Sequence, residues 1–318
     1  MRLRPANLAE LQAALAQAHA RSEKIVSVDL SAFNRVLEHT PEDMTATVEA
    51  GLTLAELQAV LAHRGQWLPV DPPQPERLTM GELLSSNAQG PRRLGYGGIR
   101  DYLIGIRVVL ADGRAIKAGG KVVKNVAGYD LGKLFVGSGG SLGVIVEATF
   151  KLRPRPETEQ FVEVSVDSLD HAGALLEQIA ASALSPIVLD LHNVPAPNSA
   201  LETGLTVVLG FAGAREDVEF QLAKARELGA VQTSSLDYDK AFWIREATEA
   251  VRRMSVLPSE VTRTLSALGS VCFVARAGHG TIYYRGGPES PKADLPTRLL
   301  RRVKEAYDPK NILPDFPL

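Results

Sequence analysis

Apolar positions recur with a helical period over residues 8–21. Leu8, Leu11 and Leu15 fall on one face, and Asn7 stands where an N-cap belongs. "TATVEAG" (45–51) reads as a short strand that ends in glycine. In "LTLAELQAVLAHRG", Thr53 and Glu56 have capping-box spacing, Leu57 and Leu61 lie one turn apart, and Gly65 is a stop signal, so a helix is predicted. "WLPVDPPQPERLTMGELLSSNAQGP" predicts a proline-rich loop running into a turn that contains glycine and asparagine.

The period then changes to two. Ile104, Ile106, Val108 and Leu110 alternate, and Asp112-Gly113 marks a hairpin with a second strand to follow. "AGYDLGKLFVG" predicts a short helix between two glycine turns. Val144, Val146, Ala148, Phe150 and Leu152 predict another strand, which "RPRP" (153–156) ends. That proline run is the best domain boundary in the chain. Beyond it, strand patterns (161–166, 187–191, 205–211) alternate with helix patterns (168–182, 214–228), a rhythm suited to an antiparallel sheet backed by helices. "SVCFVARAG" and "TIYYRG" form a hairpin pattern around Gly278–Gly280, and a last helix pattern covers 292–306.

Composition narrows the function. The 318 residues are 45% hydrophobic, enough for a substantial core, and a net charge of -2 argues against nucleic acid or an anionic membrane as the main partner. No apolar run is long enough to span a bilayer. The N-terminal helix pattern lacks a secretory core, so a cytoplasmic location is expected. Cys272 is the only cysteine, which excludes an internal disulfide and a cysteine-ligated iron–sulfur cluster or zinc site. His19, His39, His63, His171, His192 and His279 show no metal-type spacing, so no metal site is expected.

The glycine-dense stretch "GGKVVKNVAGYDLGKLFVGSGGSLGV" (119–144) lies between apolar strands. Glycine there permits positive φ and close approach of the main chain to a flat or anionic ligand. Neither common phosphate motif fits. "GSGGSLG" misses the G-x-G-x-x-G spacing and opens a strand, and "GYDLGKL" lacks both the gap and the hydroxyl of a P-loop.

Four blocks in order carry a resemblance: "VEAGLTLAELQAVLAHRGQWLPVDPP", "LTMGELLSSNAQGPRRLGYGGIRDYLIGIRVVLADG", "GGKVVKNVAGYDLGKLFVGSGGSLGVIVEATFKLRP" and "YDPKNIL". Together they resemble the FAD-linked oxidases of the vanillyl-alcohol oxidase/p-cresol methylhydroxylase type, and within that family the FAD-binding subunits of glycolate oxidases. The resemblance implies an α+β fold with a two-lobed FAD-binding domain over residues 1–155, apparently shortened in its N-terminal lobe and rejoined by 300–318. A smaller α+β cap domain over 156–299 is implied too.

It also implies roles. Val70, Asp71, Pro72, Thr79, Met80, Gly81, Ser85, Asn87 and Gly90 would lie along the adenosine and diphosphate of FAD, with Arg100 and Asp101 shaping that loop. Gly137, Ser138, Gly140, Ser141, Gly143, Val144 and Ile145 would lie against the flavin. Oxidation of a small 2-hydroxy acid such as glycolate is implied, beside a second flavin subunit and an iron–sulfur subunit. In "RAGHGTIYYRG", Arg276, His279, Tyr283, Tyr284 and Arg285 are the residues on offer for a base or a carboxylate-binding cation, against the plainer role of turn and cross-strand packing. No catalytic residue is assigned.

Three departures bear on the cofactor. The family's glycine-rich diphosphate loop has no counterpart in "HARSEKIVSVDLSAFNRVLEHTPEDM", Glu82 replaces the second glycine of a Gly-Gly pair, and the tail lacks Asn-Pro-Gly. A carboxylate facing a diphosphate would repel it, while as an ordinary first-turn carboxylate Glu82 would be favoured by the helix dipole. Two readings therefore stay open: an FAD-binding subunit of a 2-hydroxy-acid-oxidising complex, or an FAD-less subunit that stabilises its partners.

Overall fold

The computed structural model describes residues 1–120, 131–195, 204–233, 235–244, 249–289 and 296–317. Strand β1 (Arg2–Leu3) precedes α1 (Leu8–Arg21), whose N-cap Asn7 accepts the Glu10 amide and whose buried face carries Leu11, Leu15 and Ala18. β2 (Ser27–Val28) pairs parallel to β1. β3 (Val36–Thr40) and β4 (Thr45–Glu49) lead to α2 (Leu54–Ala62), where Thr53 and Glu56 form the expected capping box. After β5 (Gln66–Trp67) the chain forms α3 (Met80–Ser86) inside the stretch whose composition predicts only a loop. Thr79 and Glu82 repeat the capping box there, and Met80, Leu83 and Leu84 bury one face, which is enough to form two turns.

Two short helices follow, α4 (Arg93–Tyr96) and α5 (Ile99–Tyr102). β6 (Leu103–Val109) and β7 (Ala115–Gly119) make the hairpin expected at Asp112-Gly113. Part of the helix expected at 127–137 lies outside the described residues; α6 (Gly132–Phe135) is its described portion. β8 (Val144–Lys151) ends at β9 (Arg153–Pro154), which pairs with β5. These strands build an antiparallel five-stranded sheet in the order β3-β4-β8-β6-β7.

The remaining elements are β10 (Thr158–Val166), α7 (Leu169–Ala181), β11 (Val188–His192), β12 (Leu205–Gly213), α8 (Arg215–Glu227), β13 (Val231–Thr233), α9 (Asp237–Ile244), β14 (Val251–Ser255), α10 (Val261–Leu268), β15 (Cys272–Arg276) and β16 (Thr281–Arg285). Their seven-stranded sheet, β13-β10-β12-β11-β15-β16-β14, is antiparallel throughout. α11 (Thr297–Tyr307) closes the sequence of elements.

The chain divides into two compact units. The first is Met1–Gln89 with Gly98–Arg155 and Ala293–Leu318, and the second is Gly90–Gly97 with Pro156–Lys292. In the first, α2, α3, α5 and the five-stranded sheet enclose one core (Val48, Leu57, Leu83, Ile106, Phe135, Phe150), and α1 covers a second with Val109, Val146 and Ile312. The second unit packs α7, α8 and α10 on its sheet around Val162, Leu175, Leu209, Leu265 and Phe273. Because α2 depends on its cap, Thr53→Ala is expected to lower stability by about 1 kcal/mol in urea unfolding, and Thr53→Ser to recover most of it.

Candidate functional site

The first unit contains a cavity of about 640 Å³, within the size range of small-molecule sites. One side is formed by the N-terminal ends of α2 and α3, which an isolated bridge between Thr53 and Thr79 holds side by side. Another is the loop from Gly139 into β8, ending in Val144 and Ile145. Ser27–Ser31 and Asn34 form a third, and Leu313 and Pro314 of the tail complete the lining.

Both helix ends close on themselves. At α3 the Glu82 carboxylate accepts from the Thr79 amide (3.0 Å) and hydroxyl (3.0 Å), and the Glu82 amide donates to Thr79 Oγ1 (3.2 Å). The Met80 and Gly81 amides donate to the carbonyls of Leu52 (2.8 Å) and Ala50 (2.7 Å). α2 repeats the pattern: Glu56 takes the Thr53 amide (2.9 Å), Thr53 Oγ1 takes the Glu56 amide (3.2 Å), and the Leu54 and Ala55 amides reach Leu78 and Pro75 (both 3.0 Å). Helix starts can present these donors to an anion; here all eight are satisfied within the chain. Glu82 therefore acts as a capping residue bonded to Thr79, the favourable first-turn role.

The glycine loop hangs on the other end of α3. Gly137 and Gly139 donate to the carbonyls of Leu84 (2.9 Å) and Ser85 (2.8 Å). Gly140, at φ +75°, lines the cavity with nothing within 4 Å of where a Cβ would stand, so its backbone face is open to a ligand. Gly143 serves packing instead: a Cβ there would lie 2.6 Å from Val108 Cγ1.

Of the residues the sequence points to, Thr79, Gly81, Ser85, Gly140, Gly143, Val144 and Ile145 line this cavity. The others stand elsewhere. Val70 and Met80 are core side chains, Pro72 is buried and Asp71 half-buried. Asn87 is the left-handed C-cap of α3, and Gly90 belongs to the second unit. Arg100 is exposed on α5, and Asp101 caps the Gly98 amide (2.9 Å). Gly137 bonds α3, the Ser138 hydroxyl donates to the Phe135 carbonyl (2.8 Å), and Ser141 is buried. Thr53, Glu56, Ser27–Ser31, Asn34, Leu313 and Pro314 also line the cavity, and the resemblance points to none of them. A signal existed for the first two: the T-x-x-E spacing at 53 recurs at 79.

FAD is the group to test against this lining. The volume, the open face of Gly140 and the apolar Val28, Val144, Ile145 and Leu313 suit its flat rings. Bound there, the ring system would lie against the Gly139–Ile145 loop.

The tail reaches the cavity through Lys304. Its buried ammonium donates to Asp308 (2.8 Å) and to the carbonyls of Ser141 (2.9 Å), Leu313 (3.2 Å) and Pro314 (2.8 Å). Asp308, fully buried, also accepts the amides of Ile312 (2.9 Å) and Leu313 (2.8 Å). One cation thus joins α11, the glycine loop and the tail.

In the second unit Arg276 is buried between Asp190, with which it forms a short ion pair, and Asp239 (2.5 Å), and Tyr238 donates to Asp190 (2.6 Å). Burial opposes the Arg276 charge, but the two carboxylates overcome this and hold it above its ordinary range. Already paired in this way, Arg276 does not serve as an open carboxylate-binding cation. Arg285 is tied to the carbonyls of Glu249 (3.0 Å) and Phe242 (2.9 Å), the Tyr284 hydroxyl donates to Pro288 (2.9 Å), and the Tyr283 ring packs on Trp243. Burial, then Arg93 and Arg276, lower His279 to about 4, so it is neutral at pH 7. His192 stacks on Tyr238 and accepts the Val194 amide; burial and Arg276 lower it to about 4 as well.

Lys304→Met strands a buried carboxylate, so it is expected to cost about 3–5 kcal/mol and to speed hydrogen exchange at the Ile312 and Leu313 amides, with Asp308→Asn added restoring part of the stability. The lowered His192 pKa means that the unfolded chain binds the extra proton first. Its contribution of roughly 3 kcal/mol is complete above pH 6.5 and is lost as the pH falls towards 4; His279 titrates over the same window, so His192→Leu is expected to lessen the fall in urea stability there without abolishing it.

Among the described residues no helix is long and apolar enough to cross a membrane, and no cluster of three or more His, Cys, Asp or Glu is placed to hold a metal ion. Residues 19–119 match the family described as FAD binding domain. The chain is 32% identical over 287 residues to glycolate oxidase subunit GlcD of Bacillus subtilis, covering 79% of this chain and 61% of that protein. It is 35% identical over 162 residues to glycolate oxidase subunit GlcE of Escherichia coli (51% and 45%) and over 169 residues to D-lactate dehydrogenase of Archaeoglobus fulgidus (53% and 36%). The chain therefore spans 61% or less of the length of these relatives. The fold matches alkyldihydroxyacetonephosphate synthase with a TM-score of 0.75 at 17% identity, over 98% of this chain and 75% of that one. These matches give residues 19–119 the character of an FAD binding domain and make the chain similar, over part of their length, to glycolate oxidase subunits and D-lactate dehydrogenase.

Proposed function

We propose that this chain is the FAD-holding subunit of a complex that oxidises a small 2-hydroxy acid, glycolate or D-lactate. The observation that carries the reading is the cavity in the first unit, walled largely by the segment that matches the FAD binding domain and by the glycine loop after it. The names of the relatives, glycolate oxidase subunits and D-lactate dehydrogenase, support the substrate class.

A flavin supplies hydride acceptance when bound. This chain's share is to orient the ring against the Gly139–Ile145 loop and to exclude water with Leu313 and Pro314, which Lys304 holds in place. The glycolate oxidase subunits among the relatives support a multi-subunit complex; the resemblance implies a second flavin subunit and an iron–sulfur subunit beside this chain, a division that its single cysteine fits.

The test is the visible absorption spectrum of the protein after loading with FAD and desalting, alone and with co-expressed partner subunits. A retained flavin band that bleaches on adding glycolate or D-lactate is expected. A protein that stays colourless in both settings would overturn the reading and leave the partner-stabilising role.

A further inference from the structure

Resting on the FAD-holding reading, we infer that this cavity recognises FAD through its flat rings alone and gains no affinity from the diphosphate. Among the described residues the lining holds three carboxylates, Asp29, Glu56 and Glu82, and no lysine, arginine or histidine. A diphosphate is ordinarily held by backbone amides at helix starts, by glycine nests or by cations. Here the two helix starts at the cavity have their first four amides bonded within the chain, four of them in capping boxes closed by Glu56 and Glu82.

Asp29 adds a further carboxylate where the sequence passes from α1 to β3 without a glycine loop. Its Oδ1 accepts the Ser31 amide (2.9 Å) and its Oδ2 pairs with Arg4 (2.7 Å), an arginine that does not line the cavity. The Ser31 amide, which could otherwise face an anion, is therefore engaged as well. What the cavity does offer is the open backbone at Gly140 and apolar surface from Val28, Val144, Ile145 and Leu313. That surface suits an uncharged heterocycle, while the carboxylates oppose a doubly negative linker.

The experiment titrates the full-length protein with riboflavin and, separately, with FAD, following flavin fluorescence, at about 20 and about 200 mM salt, a range over which the Debye length falls by roughly threefold. The variant is E56Q/E82Q, because glutamine keeps a capping box while removing the charge. The expected result is that riboflavin binds at least as tightly as FAD and that added salt strengthens FAD binding. The ratio of FAD to riboflavin affinity should rise about tenfold in the double variant, as befits two partly exposed charges. FAD binding at least tenfold tighter than riboflavin and weakened by salt would overturn the inference and leave the FAD-holding reading standing. Failure of both ligands to bind, by wild type and variant, would overturn both.

Discussion

The hydroxyls of Thr53 and Thr79 each accept the amide of a glutamate three residues on, and each glutamate returns to the threonine amide. Around these two reciprocal caps the first unit is organised. They start α2 and α3, the helices that bury Leu57, Leu61, Leu83 and Leu84 against the five-stranded sheet, and the bridge between the two threonines sets the helices side by side. The end of α3 then carries the glycine loop through the carbonyls of Leu84 and Ser85. The same bonds also govern the charge of the cavity. Each capping glutamate takes the threonine amide, each threonine hydroxyl takes the glutamate amide, and the carbonyls of Ala50, Leu52, Pro75 and Leu78 take the rest, so each helix start meets a carboxylate and its first four amides are engaged within the chain.

Lys304 extends this scheme to the other end of the sequence. Its ammonium takes a carboxylate and three carbonyls from Ser141, Asp308, Leu313 and Pro314. A buried cation of this kind tolerates no loss of partner, because the desolvation cost of the unpaired group far exceeds that of a surface charge. The tail is consequently part of the cavity wall. The second unit follows the same rule with Arg276, whose guanidinium joins Asp190 of the sheet to Asp239 of α9. Both networks fix geometry, and in the second they tie up the arginine that the sequence offers as an anion binder.

Much of the architecture is legible in local sequence patterns. Leu8, Leu11 and Leu15 fall on one helical face; the alternations at 104–110 and 144–152 carry strand periodicity; and Thr53 with Glu56 announces a helix start. Each is a local signal, set by backbone geometry within one or two turns. The ordered blocks likewise pointed to the FAD-binding fold. The stretch holding α3 reads as a loop because its proline-rich flanks dominate the composition, and the helix shows only in the first-turn alternative for Glu82 and in the T-x-x-E spacing at Thr79. The final helix was legible as a pattern, but nothing in its sequence separates Lys304 from the neighbouring arginines on α11.

The site divides along the same line. By itself the sequence determined which segments turn and which elements they join, because these follow from short-range periodicity and from glycine and proline geometry; the fold they build came from the resemblance of its ordered blocks. Only the tertiary structure decided where the polar groups end. It closed Glu56 and Glu82 onto their own helix starts, sent Met80 into the core, placed Gly90 in the second unit, and brought Ser27–Ser31 and the distant Leu313 and Pro314 to one cavity. The physical reason is that a hydrogen bond or a buried charge is assigned by proximity in space, and residues 29, 82 and 313 become neighbours of one cavity only after the sheet has formed and the tail has docked.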